Sequence, residues 1–138
     1  MNVTIDSNVL VAAVRSTLGW SYKLVRDIGV DPRWQVCVTV PLLHEYAEQI
    51  CKAGHTPEWS PENREDFLDY ICASSECFEV HYLWRPLLAD EDDHLVLEAA
   101  IASLSRVIVT FNKRDLAPAE KMGISLMTPK EFMLSLRS

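Results

Sequence analysis

No stretch of about 18 apolar residues occurs in this 138-residue chain, so no membrane-spanning helix is expected. No basic segment opens it, and Asp6 breaks the first apolar run. A secretory leader is therefore not expected, and the expected location is cytoplasmic. The four cysteines, Cys37, Cys51, Cys72 and Cys77, form no C-x-x-C pair and stand at no zinc-ligand spacing with a histidine. They read as small buried thiols in a reducing compartment. Basic residues are in deficit, 13 Lys and Arg against 20 Asp and Glu, for a net charge of −7. That argues against broad non-specific nucleic-acid binding, which needs a basic surface. It does not exclude a nuclease, because divalent ions held by some of those acids would reverse the local sign. Internal repeats and low-complexity segments are also absent.

What is present suits one domain over residues 1–138, long enough to bury a core and 49% hydrophobic. Residues 2–5 read as a strand, followed by a helix to Arg15 with Asp6 or Ser7 as its cap. A second helix is expected over 19–28, a turn at Asp31-Pro32 and a strand over 35–40. Pro41 is suited to the first position of a third helix, with Leu42, Leu43, Tyr46, Ala47 and Ile50 at helical intervals. A loop over 54–60 leads to a fourth helix, capped by Ser60, opened by Pro61 and running through Cys72. A strand over 78–83 and a loop over 86–93 follow. Asp92 or Asp93 is expected to cap a fifth helix with Val96, Leu97, Ala100 and Ile101 on its buried side. The run 106–110 is the most strand-like of all. A short turn or helix over 116–121 ends at Gly123, and 124–127 is a last strand. Thr128-Pro129-Lys130-Glu131 has the form of a capping box. This alternation predicts an α/β fold, a three-layer α/β/α sandwich around a mostly parallel central sheet.

The acids follow the strands. Asp6 ends the first. Glu45 lies in the helix after the second. Asp90-Glu91-Asp92-Asp93 precedes the fifth helix, and Asn112 and Asp115 follow the fourth strand-like run. In an open α/β sheet the carboxyl ends of the strands form one edge, where ligands bind. Acids gathered there repel one another unless a cation lies among them, which points to magnesium or manganese. Each has a plainer role available. Asp6 and Asp115 suit caps, Glu45 suits an early helical turn, and Asn8 favours a helix start or orients a carboxylate. Lys113 and Arg114, with Arg85 behind them, are the candidates for substrate phosphate contacts; a solvated pair of charges is the alternative. His94 follows the acidic cluster, but a surface position is expected for it.

Together these segments resemble a PIN domain over nearly the whole chain. Val-Thr-Ile-Asp-Ser-Asn-Val-Leu-Val resembles the family's first strand and first acid, Asp6. Pro-Leu-Leu-His-Glu-Tyr carries the second, Glu45. Asp-Glu-Asp-Asp-His-Leu-Val-Leu-Glu-Ala-Ala resembles the third segment and places Asp93 as its acid, with Asp90 in support. Val-Ile-Val-Thr-Phe-Asn-Lys-Arg-Asp-Leu resembles the fourth, where Asn112 stands in place of a frequent aspartate and Asp115 follows three residues later. The resemblance is strongest to toxins of bacterial toxin–antitoxin pairs. It implies a Mg2+- or Mn2+-dependent endoribonuclease using Asp6, Glu45, Asp93 and Asp115 or Asn112. It also implies an RNA substrate, a cognate antitoxin and a homodimer. Two other readings compete. One is a PIN-like interaction module with a degraded site, which the Asn112 change would suit. The other is an aspartyl-nucleophile phosphatase, which needs an aspartate where this chain has Asn8.

Overall fold

The computed structural model describes residues 1–53, 61–80 and 91–137, with backbone only for Pro61 and residues 91–93. Five strands, β1 (Asn2–Ile5), β2 (Gln35–Val38), β3 (Glu76–Cys77), β4 (Val107–Val109) and β5 (Ser125–Met127), form one sheet. Their order is β3-β2-β1-β4-β5, and every pairing is parallel. The helices are α1 (Ser7–Arg15), α2 (Trp20–Arg26), α3 (Val40–Lys52), α4 (Pro61–Ser74), α5 (Glu91–Ala102) and α6 (Pro129–Ser135). A 3-10 turn covers Ala117–Met122. This is the α/β sandwich that the alternating pattern predicts.

β1 and β4 are β-branched runs with all of Val3, Thr4, Ile5, Val107, Ile108 and Val109 buried. Burial on both faces is the reason a parallel strand reads as a continuous apolar run rather than an alternating one. Each fully buried residue such as Ile5 or Ile108 contributes about 1.5–3 kcal/mol. α5 packs on β1, β2 and β4, while α1 packs on α2 and α3. Trp34 meets Phe132 edge-to-face at 5.1 Å, tying the approach to β2 onto α6.

The chain steps outward from β1 to β2 and β3, then returns past β1 to lay down β4 and β5. Strand order therefore reverses between β1 and β4, which opens a crevice at their carboxyl ends. Three local features hold that edge in place. The Asp6 amide donates to the Val109 carbonyl at 2.9 Å, carrying the β1–β4 ladder one residue past the strand. Thr39 caps α3 by accepting from the Leu42 amide, with Pro41 in the first turn, where no amide donor is needed. The expected capping box at Thr128 and Glu131 forms with both of its hydrogen bonds.

Several sequence expectations are corrected. α3 begins at Val40, so Pro41 is its second residue and β2 stops at Val38. β3 is Glu76–Cys77, where the sequence suggests 78–83; Phe78 only extends the ladder by donating to the Val38 carbonyl. α5 begins at Glu91, which puts Asp92 and Asp93 inside its first turn rather than at its cap. Acids in a first turn are favoured by the helix dipole, so the helix accommodates them without needing one as cap. The N-cap position of the 3-10 turn is Leu116, so Asp115 does not cap it. Cys37 is buried, but Cys51, Cys72 and Cys77 are exposed. His94 is 3% exposed rather than on the surface, because α5 also buries Val96, Leu97, Glu98, Ala99 and Ala100. The loop over 54–60, with the cap Ser60, and the segment 81–90, with Arg85 and Asp90, lie outside the described residues.

Candidate active site

Asp6 sits at the N-cap position of α1, yet its side chain makes no capping hydrogen bond there. Its Oδ2 instead accepts from the Thr110 hydroxyl at 2.8 Å, across the β1–β4 crevice. That hydroxyl in turn accepts from the Asn112 amide at 2.8 Å. Thr110 is fully buried and Asp6 is 6% exposed. One hydroxyl thus joins the acid of β1 to the turn after β4, using its donor on the carboxylate and a lone pair on the amide.

Burial pushes the Asp6 carboxyl above its usual range, and the Thr110 hydroxyl foremost, with smaller help from the polar groups of Ser7 and Asn8 nearby, pulls it back in part. All of these partners are neutral. Ionised Asp6 is therefore held in a desolvated place by dipoles, with no cationic side chain of the described residues compensating it.

Glu45 is the second buried acid, also 6% exposed. It lies on the inner face of α3, in register with Leu42, Tyr46 and Ile50. The next residue, Tyr46, is buried and donates its hydroxyl to the Ile5 carbonyl. Ile5 immediately precedes Asp6, so this bond ties the helix bearing Glu45 to the strand end bearing Asp6. Burial and the nearby Asp6 charge push the Tyr46 phenol well above its usual range, so it stays protonated and remains a donor.

Asn8 accepts from the Phe111 amide at 3.4 Å, which joins the first turn of α1 to the turn after β4. Asp93 lies in the first turn of α5, and its side chain is outside the described residues. Asp115 is exposed. Among the described residues no three His, Cys, Asp or Glu side chains come together closely enough to hold a metal. Asp6, Glu45 and Asp115 therefore do not form a ligand set by themselves. Asp6 and Glu45 are still chemically suited to one: each is a buried carboxylate with hard oxygen donors, and Asp6 lacks a compensating charge.

Lys113 pairs with Glu131 of α6, whose carboxyl is held down to about 2 by Lys113 and by the Thr128 amide. The candidate phosphate contact thus also fastens the turn after β4 to the start of α6. Arg114 is exposed. Sequence reasoning missed two residues here. Thr110 read only as strand and Tyr46 only as core. A hydroxyl at the end of a buried strand and a tyrosine beside a helix-borne acid are the signals that were available.

The comparisons with known proteins bear on the family and the fold. A family model described as the PIN domain matches residues 2–114. No curated protein matches the chain in sequence. Among solved structures, VapBC2 from Rickettsia felis, bound to a DNA fragment from their promoter, is similar with a TM-score of 0.64 and 16% identity. The match covers 93% of this chain and 98% of that one. VapBC-1 from nontypeable Haemophilus influenzae is similar with a TM-score of 0.64 and 10% identity, over 94% of this chain and 99% of that one. At such identities the likeness speaks for the fold, but the family model spans most of the chain: the protein belongs to the PIN domain family.

Proposed function

We propose that this protein is a metal-dependent endoribonuclease that hydrolyses phosphodiester bonds in RNA, acting as the toxin of a toxin–antitoxin pair. The observation that carries the reading is Asp6. It is a buried carboxylate at the strand-order reversal, compensated only by neutral donors and tied through Ile5 and Tyr46 to the helix that carries Glu45. Burying a charge without a counter-ion destabilises a fold. A site that keeps such a charge is suited to a cation.

Asp6, Glu45 and Asp93 would hold one or two Mg2+ or Mn2+ ions, with Asp115 or Asn112 completing the set through water. Oxygen-only donors favour these hard ions over zinc. The cation would supply Lewis acidity and a water nucleophile usable at neutral pH. The chain's own residues do the positioning. Thr110 fixes the Asp6 carboxylate, Tyr46 fixes the strand end that carries it, and Asn8 holds the turn after β4 against α1. Asp90 stands in support of Asp93 in this proposal, and Lys113 and Arg114 would meet substrate phosphates.

The partner proposal has its own support. A broad apolar groove runs between α1, α2 and α4, lined by Val14, Leu18, Tyr22, Val30, Phe67 and Tyr70. Leu18 is 88% exposed and Val30 73%. Exposed apolar surface of this kind suits an apolar segment of an antitoxin. A homodimer and a cytoplasmic location belong to the same proposal. No described helix is long and apolar enough to cross a membrane.

Calorimetric titration of manganese into the wild type, Asp6→Asn and Asp93→Asn tests the site. Binding by the wild type that is lost in both variants supports the reading. A folded wild type that binds no manganese argues instead for an interaction module.

A further inference from the structure

One oxygen of Glu131 holds two partners. Its Oε1 accepts from the Thr128 amide at 2.9 Å, closing the capping box of α6, and the same atom meets the Lys113 ammonium. The Glu131 amide is bonded back to the Thr128 hydroxyl at 3.2 Å. The helix start thus fixes the carboxylate independently of Lys113. The Lys113 side chain is 41% exposed and that of Glu131 51%, and an ion pair so exposed adds little to stability. What it fixes is the place of a charge, which a flexible four-carbon stem would otherwise leave free to wander.

That place follows from the register of the sheet. Ile5 pairs with Val109, and Val109 with Met127, so Asp6, Thr110 and Thr128 are the next residues of three adjacent strands. The Thr110 amide donates to the Met127 carbonyl, as the Asp6 amide does to that of Val109. Adjacent strands lie about 4.8 Å apart, which puts the Thr128 backbone about 10 Å from that of Asp6 across the carboxyl edge. The Lys113 ammonium, on the oxygen that caps Thr128, is therefore a cation held beyond β5 on the edge that carries the buried Asp6. Neighbouring Arg114 is exposed and forms no ion pair among the described residues. An ammonium carries three donors, so a single carboxylate oxygen leaves the others for a phosphate.

We propose that Glu131 is a positioning residue for RNA hydrolysis, holding the Lys113 ammonium beyond β5 where a substrate phosphate meets it. The inference rests on the nuclease reading and adds to it a residue of α6, outside the 2–114 span of the family model. A carboxylate beside a phosphate also repels it. The contribution of Glu131 is therefore in orientation rather than in ground-state affinity, and it falls on kcat rather than on KM.

Glu131→Gln tests this, because glutamine still completes a capping box while the charge that holds Lys113 is gone. Manganese-dependent cleavage of a single-stranded RNA oligonucleotide is measured for wild type, Glu131→Gln, Lys113→Met and the double variant, with thermal melts and manganese calorimetry on each. Misplacing a contact by about 1 Å costs up to about 100-fold, so Glu131→Gln lowers kcat by roughly 10- to 100-fold, with KM unchanged or lower. Its melting temperature and manganese affinity stay close to those of the wild type, and the substitution is silent in the Lys113→Met background. A kcat equal to or above that of the wild type overturns the inference and leaves the nuclease reading in place, since Glu131 then only masks the lysine. The same loss of kcat with and without Lys113 also overturns it, because Glu131 then acts through another group. A folded wild type that cleaves no RNA overturns both readings.

Discussion

Replacing Thr110 by Val removes one oxygen and keeps the shape of the side chain. The site is fully buried, so the change opens no cavity and tests the hydroxyl alone. Two hydrogen bonds are lost, one to the Asp6 carboxylate and one from the Asn112 amide. A hydrogen bond to a charged group is worth about 1.5–3 kcal/mol, and the Asn112 amide, on a half-buried residue, regains part of its loss from water. The expected cost at neutral pH is about 2–3 kcal/mol, or roughly 6–12 °C in melting temperature for a chain of this size. The pH dependence identifies the acceptor. The Thr110 bond lowers the Asp6 pKa in the fold, so without it the carboxyl rises further above its ordinary value. A folded pKa that is lower in the wild type means that the wild type's advantage is complete above both values and shrinks as pH falls through them. Protonated Asp6 needs the donor less. Thermal melts of both proteins between pH 3 and pH 7 should show the gap narrowing towards acid. A gap that stays constant, or that widens in acid, would refute an ionised Asp6 as the partner of Thr110.

Three further outcomes follow from the same geometry. Tyr46→Phe should cost about 1–2 kcal/mol by leaving the Ile5 carbonyl without its donor, and should weaken manganese binding; unchanged calorimetric affinity would limit Tyr46 to a packing role. Gly29→Ala should destabilise measurably in urea melts, because Gly29 has φ +76° and an added Cβ would lie 2.9 Å from the Ser74 Oγ. The Glu131 carboxyl should titrate by NMR at about 2 and return towards 4.5 in Lys113→Met; its stabilising effect is present above the ordinary value and is lost as pH falls through the depressed one.

The parallel α/β architecture was legible because the two central strands, β1 and β4, are buried β-branched runs, and helical patterns separate the strands along the chain. Val107-Ile108-Val109 and Val3-Thr4-Ile5 could hardly be anything else. β3 was not legible, because its position is fixed by pairing with Cys37 and Val38 and not by any pattern within Glu76-Cys77. The burial of His94 was hidden for a related reason. α5 is covered on nearly all sides, so the rule that polar residues mark an outer face does not hold there. The acids at the strand ends could be named from sequence, since topology alone brings such positions to one edge. Their supporting groups could not. Thr110 and Tyr46 act through a carboxylate and a carbonyl more than 40 residues away in the chain, and only the register of β1 on β4 and the packing of α3 place them.

The most direct measurement is cleavage of a mixed panel of single-stranded RNAs with manganese or magnesium, by wild type, Asp6→Asn and Asp93→Asn. The account predicts metal-dependent cleavage by the wild type that is lost in both variants while each remains folded. Cleavage that survives Asp6→Asn, or that proceeds equally well in a chelator, would contradict it.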